Sequence, residues 1–276
     1  LLAGMITATN SNLVFDGNWT NAGTVTITDA SVELDGTFTT ADLTGFARSG
    51  STTVTLTGEM DNAAATLDLD VFGSLTMNGG TIAGGILHFS TPGDLSFQDV
   101  TSRDGRFDGV EIHGDLTIST ANILVEFVNG TEVRQADGSV GGTVNLTEKD
   151  SGIVWVGSQT VSNLTVNFDF TSTFLSWAPN LYFDGGNFET LTLASSVVIQ
   201  GGNGEIRFWQ SSTTSSIVNE GQILSNAAAG GRTITLYGST NNSWTNTGTI
   251  AASGGNHLTI STCLLYTSPS PRDLWI

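Results

Sequence analysis

The densest group of residues able to do acid–base chemistry is Arg103-Asp104-Gly105-Arg106-Phe107-Asp108, followed closely by Glu111, His113 and Asp115. Two carboxylates facing one glycosidic bond, one as proton donor and one as base or nucleophile, are the minimum for cutting a polysaccharide. Asp108 and Glu111 are the pair this spacing offers, with arginine close by. The same string at a solvated corner would only form local charge pairs, each worth less than about 1 kcal/mol. The solvated corner is the simpler reading, so no catalytic residue is assigned and no enzyme is expected.

Metal chemistry is no better signalled. His88, His113 and His257 lie far apart in the chain, without the i, i+4 helical spacing or acid partners of a zinc site. They read as edge or corner histidines. Gly201-Gly202-Asn203-Gly204-Glu205-Ile206 resembles the Gly-rich nonapeptide that binds calcium, but Ile206 stands where that repeat needs Asp. Corners such as Asp68 and Asp70 can hold a hard cation loosely. Neither a dedicated metal site nor a cofactor is expected. There is no Gly-x-Ser-x-Gly elbow, and Lys149 follows Glu148 without the glycine loop of a nucleotide-binding lysine.

Two further patterns can carry binding. Aromatic residues gather between Phe127 and Phe188, with Trp155, Phe168, Phe170, Phe174, Trp177, Tyr182 and Phe183 among them. Exposed, they would stack on sugars or a partner; buried, they would fill a wide core. The alternation Phe168-Asp169-Phe170 favours the core. Thr-x-Thr recurs at Thr24/Thr26/Thr28, Thr53/Thr55/Thr57, Thr190/Thr192 and Thr233/Thr235. Ranks of outward threonine can order water, as in ice-binding proteins, but irregular spacing breaks the rank. The β-propensity of threonine on a solvated face explains the pattern.

The elements that position these residues are short strands. Val25-Thr26-Ile27, Val54-Thr55-Leu56, Leu75-Thr76-Met77, Leu116-Thr117-Ile118, Leu164-Thr165-Val166 and Leu191-Thr192-Leu193 each alternate apolar and polar residues. Period two places the apolar pair on one side and the polar residue on the other. No helical stripe occurs; only Ala227-Ala228-Ala229 suggests a helical turn, ended by Gly230-Gly231. Strands of three to five residues are short for a sandwich, where about 5–6 is usual. They suit the coil of a solenoid, in which each turn stacks its strands on the next. Asn-x-Gly-x-(Val/Ile) marks the corners at Asn21, Asn78, Asn219 and Asn246, with Asn and Gly tolerating positive φ there. Two copies extend further: Trp19-Thr20-Asn21-Ala22-Gly23-Thr24-Val25 and Trp244-Thr245-Asn246-Thr247-Gly248-Thr249-Ile250. The expected fold is all-β, a right-handed parallel β-solenoid with Gly and Asn corners, continuous over 1–262 and less regular over 121–196.

Composition excludes several partners. Charged residues are 12 % of the chain, against about a quarter in ordinary domains, and net charge is −18. Nucleic-acid binding needs the opposite sign, since phosphate neutralisation supplies most of its affinity. No apolar run approaches the ~20 residues of a membrane helix.

Residues 13 to 120 and 197 to 262 resemble the repeats of very large secreted bacterial β-helix proteins, similar in style to filamentous haemagglutinin-like adhesins and autotransporter passengers. The stretches that carry this are Gly36-Thr37-Phe38-Thr39-Thr40-Ala41-Asp42-Leu43, Gly79 to Gly85, Asp108 to Thr117 and Ile217 to Ile223. The resemblance implies export, an extracellular or cell-surface location, and a structural or adhesive role with glycans or cell-surface material as partners. A carbohydrate-active β-helix enzyme or a carbohydrate-binding module is the alternative. Cys263 to Asp273 reads Cys-Leu-Leu-Tyr-Thr-Ser-Pro-Ser-Pro-Arg-Asp, which resembles a translated sequencing-library adapter, with Leu274 to Ile276 as the index after it. Residues 263–276 are therefore expected to be an artefactual, disordered tail, and the one cysteine, Cys263, carries no redox or disulfide role. The stretch 1–262 is expected to be an internal piece whose ends meet the rest of its own solenoid.

Overall fold

The structure, a computed structural model, describes residues 3–100, 103–171, 178–262 and 264–266. Every strand pairing among them is parallel and joins successive turns of one coil. The longest sheet has ten strands: Thr37–Thr39, Glu59–Asp61, Thr81–Ala83, Gly105–Asp108, Leu124–Val128, Gly152–Val156, Asn180–Asp184, Gly204–Phe208, Thr233–Tyr237 and His257–Ser261. In chain order each turn visits this long face and then two others. One of those is built from sheets of five and six strands, the other from sheets of three, four and five. The chain is a parallel β-solenoid. No described helix is long and apolar enough to cross a membrane.

Period-two alternation does the work expected of it. In Thr24–Thr28 the side chains of Val25 and Ile27 are fully buried while Thr24 and Thr26 are exposed, and in Leu116–Ile118 the two apolar residues are buried on either side of a half-buried Thr117. Parallel register then stacks like on like. Down the long face Phe38, Met60, Ile82, Phe107, Phe127, Trp155, Phe183 and Phe208 follow one another inward, turn upon turn. Each buried side chain of this size contributes roughly 1.5–3 kcal/mol. The short strands are stable only because these columns join into one core. Outside, polar ladders satisfy one another: Asn167 Nδ2 donates to Asn145 Oδ1 at 2.9 Å, and Gln200 Nε2 to Asn167 Oδ1 at 3.0 Å.

The expected aromatic core is present. Phe127, Trp155, Phe168 and Phe183 are buried, Phe170 and Tyr182 are half-buried, and Phe188 is exposed. Phe174 and Trp177 lie outside the described residues, as do Cys263 and 267–276 of the expected tail. Within that tail, Leu264–Tyr266 departs from expectation: it forms a strand beside Ser243–Asn246. Ala227 to Gly230 closes a hydrogen-bonded turn, Gly230 N to Ala227 O at 3.2 Å, rather than a helix. The helical turns fall instead at Thr40–Leu43 and Leu69–Phe72, the latter capped by Asp68, whose Oδ1 accepts from Asp70 N.

The corners correct one sequence reading. Of the four Asn-x-Gly corners only Asn78-Gly79-Gly80 uses positive φ, at its middle residue Gly79 (80°); Asn21, Gly23, Asn78, Gly80, Asn219, Gly221, Asn246 and Gly248 do not. Glycine is needed there because turns approach closely. A Cβ on Gly23 would run into the Gly4 carbonyl and one on Gly248 into that of Gly221; one on Gly221 would lie 2.5 Å from Val197 O. The asparagines close the corners by hydrogen bonding instead: Asn246 Nδ2 donates to Gly248 O at 3.1 Å, and Asn219 Nδ2 to Asn246 Oδ1 at 2.6 Å. The paired tryptophans are both buried, with Trp19 Nε1 donating to Asp35 O and Trp244 Nε1 to Tyr237 O.

Asp42 staples an early corner and is only 6 % exposed. Burial pushes its carboxyl up, but bonds donated by Asn21 N, Thr39 Oγ1 and Thr39 N together hold it below its ordinary value. Its stabilising contribution is therefore complete above the unfolded carboxylate pKa, about 3.9, and lost as pH falls through the lower folded value. Urea midpoints taken from pH 5 down to pH 2 should drop less steeply in Asp42→Asn than in the parent chain. Parallel acid limbs would remove Asp42 from this account.

Candidate functional site

The charged string divides at its corner. Asp104 is fully buried and accepts from Val100 N at 2.9 Å and Leu124 N at 2.7 Å, so it fastens the loop that carries Arg103. Asp108 ends the strand Gly105–Asp108 and is held by Arg106 Nη2 at 3.3 Å and Asn129 Nδ2 at 2.6 Å. Glu111 opens the next strand, past the corner at Gly109, and meets His113 Nε2 at 3.2 Å and Arg134 Nε at 3.4 Å. The two carboxylates thus take separate partners on separate faces. Asp115 is exposed and lines a groove with Ser90, Gln135 and Thr143.

Arg103 and Arg106 join a larger patch on the outer side of the long face. Register sets Arg106, Glu126, Val154, Tyr182 and Arg207 in one outward column. Glu126 binds both arginines, Arg103 Nε at 3.2 Å and Arg106 Nη1 at 3.0 Å. Arg103 Nη2 also reaches Asp184 Oδ2 at 2.7 Å, and its guanidinium lies 4.2 Å from the centre of the Trp209 ring. Trp209 meets Tyr182 edge to face at 4.8 Å. Arg207 pairs with Glu205 at 2.9 Å and lies 5.6 Å from the Tyr182 ring and 5.2 Å from that of Tyr237. Burial pushes the Tyr182 phenol and the Glu205 carboxyl up, with Arg207 opposing both shifts.

Val154 is fully buried although it faces outward, so the column is roofed by its long neighbours. Beside it lies a depression of about 140 Å³ lined by Arg207, Phe208, Ser211, Tyr237, Ser239 and Asn242. Aromatic faces set among guanidinium, carboxylate, hydroxyl and amide groups suit a polyhydroxylated ligand. Its C–H faces can stack, and its hydroxyls can both donate and accept. The sequence reading stopped at Phe188 and missed Trp209 and Tyr237. Period two through Arg207-Phe208-Trp209 does carry the signal, since an inward Phe208 turns both neighbours outward.

A second cluster lies on a neighbouring face. Asp68, His88, His113 and Arg134 stand in register on four successive turns. His88 Nδ1 is 3.0 Å from Asp68 Oδ1 and 4.0 Å from Asp70 Oδ2. This corrects the reading that the histidines lack acid partners: stacking supplies them from one turn earlier. The bond to Asp68 raises the His88 pKa, helped by the charges of both carboxylates and by the Ala136 carbonyl, against the effect of burial. Bonds from Ser90 hold Asp70 below its ordinary value.

The threonine ranks are short. Thr26 is followed by Ala47, Thr55 is preceded by Glu33, and Thr192 is followed by Val218. No protein-family model matches the chain, and no curated protein or solved structure matches it.

Proposed function

We propose that the chain is a non-catalytic, structural and adhesive length of solenoid from a large exported bacterial protein, displayed outside the cell or on its surface. Its contact surface is the outward patch of Tyr182, Trp209 and Tyr237 with Arg103 and Arg207, and its ligand class is glycans. The observation that carries this reading is the ten-strand face itself, a rigid support that brings groups from distant turns into one aromatic and charged surface. The repeat style of Gly36 to Leu43 and Asp108 to Thr117 supports export and adhesion. A polysaccharide-cleaving reading needs Asp108 and Glu111 to face one bond, and their separate partners do not favour it.

A glycan array probed with the chain should give signals that weaken about five- to tenfold in Trp209→Ala and in Tyr237→Ala. That corresponds to the roughly 1 kcal/mol of a stacked ring. Phe188→Ala, which removes an exposed ring elsewhere, should leave the signals unchanged. Binding that survives both patch substitutions would move the contact surface off the long face, and an array without signal would end the glycan reading.

A further inference from the structure

We infer that Asp68, Asp70 and His88 form a binding site for a divalent transition-metal ion of the Zn²⁺ or Co²⁺ class. One ligand atom from each of the three lies within 4.8 Å of the other two. An ion about 2.0–2.2 Å from each donor fits that triangle with small side-chain rotations. The set is not an acidic corner alone. The imidazole comes from the next turn, and its register on Asp68 fixes which residue faces the carboxylates. A site of two oxygens and one nitrogen suits a borderline ion, whereas calcium takes six to eight oxygens.

The surroundings pre-set the donors. Asp68 Oδ1 accepts from Asp70 N at 3.0 Å and Asp70 Oδ1 from Ser90 N at 2.9 Å, which leaves Asp70 Oδ2 turned toward the ring. An ion here would replace the proton held between His88 and Asp68, and water would complete its coordination. Such a site would tie together two turns beside the helical turn Leu69–Phe72 and is independent of the long-face patch.

The test is calorimetric titration of the chain with Zn²⁺, together with the visible absorption of bound Co²⁺. One ion should bind per chain. His88→Ala and Asp70→Asn should each lower affinity at least tenfold, His257→Ala should not change it, and excess Ca²⁺ should not displace the ion. Asp70→Asn keeps the shape of the side chain, and circular dichroism of each variant separates lost binding from lost fold. Absence of saturable Zn²⁺ binding, or unchanged affinity in folded His88→Ala, would overturn the site. Equal losses in His88→Ala and His257→Ala would do the same.

Discussion

Trp155→Ala should destabilise the solenoid by about 3–5 kcal/mol, the cost of removing a large aromatic side chain from a packed core. Trp155 is 1 % exposed and stands in the inward column between Phe127 and Phe183. Deleting the indole leaves a void that two neighbouring turns must share, and a parallel stack collapses poorly because its strands are held at fixed spacing. The indole N–H has no acceptor among the described residues. Trp155→Phe removes that unpaired donor, offsetting part of the lost volume, and should cost less than half as much as Trp155→Ala. Urea unfolding followed by far-ultraviolet circular dichroism gives both values. Because each turn of a solenoid contacts only its neighbours, the loss should first show as a separate early transition spanning these turns. An effect below about 1 kcal/mol would mean that Trp155 is not a core residue, and the aromatic column would lose its central member.

The same residue shows what the sequence can reveal. Alternation identifies inward and outward positions correctly because a strand repeats every two residues whatever its length, and Val25, Ile27, Phe107 and Phe168 all follow that rule. Parallel stacking of short strands was legible for a similar reason: three-residue strands bury too little to stand alone. Which outward residues meet was not legible. Contacts between turns depend on the number of residues per turn, and that number varies: Met5 pairs with Thr24, 19 residues on, and Thr165 with Val198, 33 residues on. No fixed spacing therefore connects Asp68 with His88, and nothing in the chain suggests that Arg103 would reach Asp184. The carboxylates Asp108 and Glu111, close in sequence, are divided by a corner. Proximity along a coil says little about proximity on its surface. The Asn-x-Gly corners were found by pattern, but positive φ explains only Gly79 among them; at Gly23, Gly80, Gly221 and Gly248 it is close backbone approach that excludes a side chain.

Gly36→Ala should cost about 3 kcal/mol or more, for two reasons that can be separated. Gly36 has φ of 68°, where an L-residue loses roughly 1–2 kcal/mol. A Cβ there would also run into the Gly17 carbonyl of the preceding turn, adding the roughly 1–3 kcal/mol typical of overpacking. The contact continues upward, because a Cβ on Gly58 would run into the Gly36 carbonyl in turn. Gly17, Gly36 and Gly58 are thus a corner column in which each turn rests on the backbone of the last. Gly130 provides the comparison: its φ is 77°, and a Cβ there would meet nothing within 4 Å. Gly130→Ala should therefore show the conformational cost alone, and Gly130→Asn should recover part of it, since asparagine tolerates this backbone region. Gly36→Asn should recover little, because its Cβ meets the same carbonyl. If urea midpoints place Gly36→Ala and Gly130→Ala together, the close approach contributes nothing and backbone conformation alone explains the glycine. If they separate as expected, the corner glycines fix how turns stack, and the long-face patch depends on that stacking for its geometry.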